Sequence, residues 1–323
     1  MPTTIPLTLS GYVVSASFLG NVPTFATGDG KVVLGTVGRT VEAHATGLLV
    51  AQPTVDGKAL LSGGDDGKVV RTTTDGVTTV VADKGRKWID LLATGPGGTL
   101  AFASGRTVWA IDAAGKEHEL TRPRAVGGVT LFPKGFRVAI AGYDGVGLWF
   151  PGTVAAPQEL EWKGMHIGVT VSPDGANVVT SMQEMALHGW RVKDGQHMRM
   201  SGYPAKVKSL SWSVKGRFLA SSGAGVAVCW PFHYKDGPMG RAPLELGGRK
   251  EMVTRVACHP SEEIVALGYD DGMILLSRLA DREEVLLRRP GGSPLSAMAW
   301  SADGFELAFG CEDGSAGVVD LTR

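Results

Sequence analysis

Apolar residues along this chain alternate with polar ones in short runs, a period of two that predicts strands. No stretch shows the three-and-four spacing of an amphipathic helix. One composite pattern recurs. A short apolar run ends in small residues, a turn follows, and a β-rich run comes next. It reads "TFATGDGKVVLGT", "LLSGGDDGKVVRT", "LAFASGRTVWAID" and "VAIAGYDGVGLWF", then "VVTSMQEMALHGWRV", "LASSGAGVAVCWPF", "VALGYDDGMILLSRL" and "LAFGCEDGSAGVVDL". The turn falls at Gly30, Gly67, Gly105, Gly145, Met185, Gly225, Gly272 and Gly314. These are repeats of about forty residues, long enough for one small sheet each.

A further strand precedes each copy and ends in a tight turn, as in "VTLFPKG", "VTVSPDG", "LSWSVKG" and "MAWSADG". Asp-Gly suits such turns, because Asp bonds its own backbone and Gly accepts positive φ. A fourth strand follows, clearest in "APQELEW", "QHMRMSG" and "EEVLLRR". The prediction is an all-β, eight-bladed β-propeller of four-stranded antiparallel blades, one domain over residues 1–323, with seven blades as the alternative. The last copy stops after its third strand, "SAGVVDLTR", while "TIPLTLSG" stands alone at the start. The N-terminal strand is therefore expected to complete the last blade and close the ring.

Trp109, Trp149, Trp190 and Trp230 recur at the third strand. "VKSLSWSVKGRFLASSGAGVAVCW" and "LSAMAWSADGFELAFGCEDGSAGVVDL" resemble WD40 repeats. The chain's Ala-, Gly- and Val-rich style resembles bacterial members. The Gly-His and Trp-Asp pairs of those repeats are absent, so their His-Ser-Asp-Trp network is not expected intact. The resemblance implies a rigid, non-catalytic platform for protein partners; fold alone assigns no chemistry.

Composition narrows the classes. Positive and negative residues balance at 32 each, so no net field favours nucleic acid. No apolar run spans a membrane, and the N-terminus lacks a secretory pattern. Three scattered cysteines, Cys229, Cys258 and Cys311, read as reduced thiols, which points to the cytoplasm. A monomer is expected. The chain has no G-x-S-x-G elbow, P-loop, H-E-x-x-H or paired C-x-x-C, so no catalytic residue and no cofactor is predicted.

The turns and entrance loops of one face collect Arg86, Trp88, Arg124, Tyr143, Asp144, His166, Tyr203, Arg255, Tyr269 and Asp270 as candidate partner contacts. The longer sixth unit carries "PFHYKDGPMGRAPLELGGRKEM", with Phe232, His233, Tyr234 and Arg241 as anchors on the opposite face. The innermost strands align Ser15, Leu49, Asp90, Gly128, Gly168, Ser209, Arg255 and Ala297. Most are small, while Asp90 and Arg255 stand out. The alternative reading is an enzyme or a small-ligand or metal-binding propeller at the channel mouth, near Trp88, Asp90, His166 and Arg255. His166, His188 and His197 with Met165, Met182, Met185, Met198 and Met200 form a soft-ligand set without ligand spacing. Core packing is the reading taken for them, and no metal is predicted.

Overall fold

The computed structural model describes residues 2–322. After β1 (Thr3–Thr8) comes a sheet of β2 (Val13–Leu19), β3 (Val22–Thr27), β4 (Lys31–Leu34) and β5 (Arg39–Glu42). The next holds β6 (Leu48–Pro53), β7 (Ala59–Gly64), β8 (Lys68–Thr73) and β9 (Thr78–Asp83). The third holds β10 (Leu91–Thr94), β11 (Leu100–Ser104), β12 (Thr107–Ile111) and β13 (Glu117–Thr121). Then β14 (Val126–Leu131), β15 (Val138–Trp149), β16 (Gln158–Val171), β17 (Asn177–Met182), β18 (Leu187–Arg191) and β19 (His197–Met200) share one sheet. Next come β20 (Leu210–Trp212), β21 (Phe218–Ser221), β22 (Ala227–Pro231) and β23 (Leu244–Leu246). Another sheet follows with β24 (Val253–Cys258), β25 (Ile264–Tyr269), β26 (Ile274–Arg278) and β27 (Glu284–Arg288). The last is β28 (Leu295–Trp300), β29 (Glu306–Cys311) and β30 (Ser315–Asp320), with β1 added beside β30.

The chain is an all-β propeller, but the expected eight blades are corrected to seven. Six sheets have four strands and one has six. The expected fourth and fifth units share that wide sheet. β15 runs without a break through Tyr143, Asp144 and Gly145, and β16 through Lys163, Gly164 and Met165. The GYDG signature marks a true bend, with φ of 66° at Asp144 and 138° at Gly145. The ladder absorbs it as a slip between Tyr143 and Gly145, and the Tyr143–Met165 pair carries the sheet across. The N-terminal strand does complete the last blade: β1 pairs with β30 from Thr3–Asp320 to Thr8–Ser315.

By contact density the chain forms two compact units, Ala43–Thr73 with Val77–Gly202, and Met1–Glu42 with Thr74–Gly76 and Tyr203–Arg323. Within the second of these, Val13, Phe25 and Val33 pack with Ala297, Ala308 and Val318 to fill the space between first and last blades.

One device recurs at β2, β6, β14, β16, β24 and β28. Their pairing slips by one residue between Val13 and Ser15, Leu48 and Val50, Val126 and Gly128, His166 and Gly168, Val253 and Arg255, and Leu295 and Ala297. Such a bulge turns the skipped residue out of the ladder. Two skipped residues meet the next inner strand in the same way. Thr254 Oγ1 donates to the Leu295 carbonyl at 2.8 Å, and Ser296 Oγ donates to the Val13 carbonyl at 2.7 Å. Within the wide sheet, a Cβ at the skipped Gly127 of β14 would overlap the His166 carbonyl oxygen of β16. The aligned small residues therefore follow a bulge that seats one inner strand on the next.

Ser296 is buried, so its loss leaves the Val13 carbonyl short of a partner. Ser296→Ala should cost about 1–3 kcal/mol. Denaturant unfolding checks this; an unmoved midpoint would remove the seam from the account of stability.

Candidate functional site

The structure divides the candidate residues into frame and surface. Tyr203 is buried, and its hydroxyl lies 2.6 Å from Ser221 Oγ and accepts from Trp230 Nε1 at 2.6 Å. Ser221 Oγ in turn donates to the Val228 carbonyl across the hairpin at 2.9 Å. Burial pushes the Tyr203 phenol up to about 12. His166 is wholly buried. Its Nε2 donates to the Trp162 carbonyl at 3.0 Å and its Nδ1 lies 2.7 Å from Thr180 Oγ1. Burial lowers its pKa, and the Thr180 hydroxyl donates to the His188 carbonyl at 3.1 Å. Tyr269 is buried and donates to the Gly247 carbonyl at 2.5 Å. Phe232 is buried edge-on against Trp212. Asp270 is partly buried and accepts from the Met252 amide at 3.1 Å. Arg255 donates from Nε to the Ser296 carbonyl and from Nη1 to the Thr254 carbonyl, which ties it to the next blade.

Sequence reading missed His44. It is buried, with Nδ1 3.0 Å from Asp66 Oδ1 and Nε2 2.8 Å from Ser62 Oγ. Burial alone would raise the Asp66 carboxyl, but hydrogen bonds from His44 and the Lys68 amide outweigh it and hold the pKa low. One blade thus keeps a His-Ser-Asp set, without the Trp. The signal was a His just ahead of β6, facing an Asp in the following hairpin turn.

The exposed candidates fall into three groups. Arg86 and Trp88 project from the loop after β9, with Trp88 64% exposed. His233, Tyr234 and Arg241 form a stack on the long loop after β22. The Arg241 guanidinium sits 4.4 Å from the Tyr234 ring centre, and the His233 and Tyr234 rings are 4.2 Å apart. The third group is the tightest. Arg124 lies over the Tyr143 ring at 4.6 Å and reaches Asp144 Oδ2 at 3.4 Å. Asp144 Oδ1 also accepts from the Gly164 amide at 3.3 Å. Tyr143 is 53% exposed. Tyr143 and Asp144 divide two pockets. One, of about 190 Å³, runs between Arg122 and Ala141. The other, of about 450 Å³, is bounded by Trp162, Lys163, Met182, Glu184 and Arg199. Asp144 and Met185 are non-glycine residues held at positive φ (66° and 54°). Such conformations cost energy and concentrate at functional surfaces.

Beneath this group lies the predicted His-Met cluster. His188 is wholly buried, and neither ring nitrogen has a hydrogen-bond partner. Trp162 stacks on it at 4.1 Å, His197 at 5.3 Å, and Trp190 meets it edge-on at 4.7 Å. Among the described residues, no three His, Cys, Asp or Glu side chains gather as a metal site. Burial first, then the nearby His197, His166 and Arg199, drives the His188 pKa down to about 3.

A protein-family model described as the anaphase-promoting complex subunit 4 WD40 domain matches residues 256–323. Among solved structures, the computationally designed Ika8 protein is similar over 97% of this chain and 98% of that chain, with a TM-score of 0.78 and 21% identity. At that identity the likeness shows the fold alone. No curated protein matches the chain.

Two outcomes follow for the frame. Tyr203→Phe strips partners from both Ser221 and Trp230, and should cost about 1–3 kcal/mol in chemical unfolding. An unchanged stability would mean that the buried chain of hydrogen bonds is redundant. For His188, the unfolded ring takes a proton below about pH 6.5, while the folded ring stays neutral down to about 3. Stability should therefore be fully present above pH 6.5 and fall as pH drops through that window, by at most about 1.4 kcal/mol per pH unit from this group. His188→Phe keeps an aromatic stack and should flatten the slope. Equal slopes in variant and wild type would assign the acid sensitivity elsewhere.

Proposed function

We propose that this WD40-type β-propeller, a family that the match over residues 256–323 and the blade topology support, is a non-catalytic platform for a protein partner. The observation that carries the reading is the exposed Arg124–Tyr143–Asp144 group between two pockets. Arg and Tyr are the residue types that dominate binding energy at protein interfaces. Here the Tyr ring is already covered on one side by the guanidinium, and Asp144 is tied to a backbone amide. Little side-chain freedom is left to lose on binding. WD40 propellers typically carry no catalytic chemistry. His166, the residue best suited to proton transfer among the candidates, is buried with both nitrogens engaged. The three free cysteines, two of them buried, fit a reducing, cytoplasmic setting, and among the described residues no helix is long and apolar enough to cross a membrane.

The test places a photo-crosslinking amino acid at Tyr143, and in a second sample at the fully exposed Val154, in cells of the source organism. A single prominent protein adduct at position 143, absent at 154, is expected. No adduct, or the same adducts at both positions, would overturn the platform reading at this face.

A further inference from the structure

Four charged side chains line the larger pocket, but they are not equivalent. Both carboxylates are already engaged: Asp144 with Arg124 and the Gly164 amide, and Glu184, whose Oε1 accepts from the Met165 amide at 3.4 Å. Both cations are exposed. Among the described residues, no carboxylate lies within ion-pairing distance of Lys163 or Arg199. With Arg124 counted, three cations face two committed anions. The walls between them are aromatic and apolar. Tyr143 forms one side and Trp162 another, with Met182 and Ala186 buried below. Trp162 is itself immobilised, stacked on His188 at 4.1 Å and against His197 at 4.9 Å.

We infer that this pocket receives an acidic side chain of an extended partner segment, set between Lys163 and Arg199, with a neighbouring apolar side chain against Tyr143 and Trp162. The inference rests on the platform reading above and names the chemistry of the partner. Charge complementarity selects the occupant: an added carboxylate gives both cations a partner, whereas an added cation would meet two carboxylates that are already bonded. A nucleic acid fits less well. Its run of phosphates would need a continuous basic track, and Asp144 and Glu184 interrupt this one. The chain's zero net charge adds no general attraction for polyanions. The protein's contribution is preorganisation: a clamped aromatic wall and two cations on strands of one sheet, β16 and β19, rather than on a mobile loop.

The probes are three short fluorescein-labelled peptides and one labelled single-stranded oligonucleotide, with polarisation measured on the full chain. The peptides share an apolar frame and carry paired Glu, paired Gln or paired Lys. Tightest binding is expected for the Glu peptide, weakening as salt rises. Lys163→Glu with Arg199→Glu should weaken it by at least about tenfold and favour the Lys peptide. Thermal unfolding confirms that the variant is folded; if it is not, Lys163→Gln with Arg199→Gln carries the same test with a smaller loss. The proposal is overturned if the Gln peptide binds equally well, if the charge changes leave Glu-peptide binding intact, or if the oligonucleotide binds more tightly. A Tyr143 adduct whose contact segment lacks acidic residues would sink this proposal alone. Failure of both experiments would take the platform reading with it.

Discussion

The contact between a skipped residue of one inner strand and a backbone carbonyl of the next is what the rest of the fold leans on. Antiparallel blades satisfy their own ladders, so nothing in a ladder joins one blade to its neighbour. The bulge supplies the join. At Thr254 and Ser296 it turns a hydroxyl onto a neighbouring carbonyl. Arg255 and Trp300 extend the same seam by donating to the Ser296 and Ala257 carbonyls. Donors within a dry seam leave few geometries open, because an unpaired carbonyl there is expensive. The seam therefore sets blade position more narrowly than apolar packing could alone.

Inside the blades the same constraint is met by different residues. Ser62 on β7, Thr180 on β17 and Ser221 on β21 are buried. Each is paired by an aromatic or imidazole group arriving from the entrance side: His44, His166 and Tyr203. Where the hydroxyl is absent, as at Phe102, the ring instead stacks on Trp109 at 5.4 Å, and Trp109 Nε1 finds Glu119. The requirement is that the entrance loop be pinned to the blade, and several chemistries meet it. This is why the repeat is regular in shape and irregular in sequence.

That contrast explains what could be read from residues alone. Turns were legible because their chemistry is local. Gly30, Gly67, Gly105, Gly272 and Gly314 all take positive φ, and at Gly67 a Cβ would overlap the Gly85 carbonyl oxygen. Even the turn that lacks glycine holds its φ, at Met185. At the sixth unit the positive φ falls on Gly223 rather than Gly225. The blade count was less legible. A bend at Asp144–Gly145 reads as the end of a hairpin, but only the Tyr143–Met165 pairing decides whether the sheet continues past it. The split of candidates into frame and surface was not legible at all. Tyr203 and Tyr143 each directly follow a glycine, yet one is sealed against Ser221 and Trp230 and the other lies open. Burial depends on what the neighbouring strand brings, and no local pattern encodes that.

The open group sits where the repeat is least regular, and the two facts have one cause. A sheet that runs on through β15 and β16 must absorb a bend without breaking its ladder. It does so by placing Asp144 in a left-handed conformation and leaving its side chain outside the sheet. Asp tolerates that conformation better than most residues, through short bonds to nearby backbone, here the Gly164 amide. The same bend leaves Tyr143 without cover from the sheet and opens pockets on both sides of it. Regular turns such as that at Gly67 stay closed, with Asp66 drawn in toward His44. A recognition surface needs exposed, immobile side chains, and here it arises where a turn residue is held in a left-handed conformation with its side chain outside the sheet.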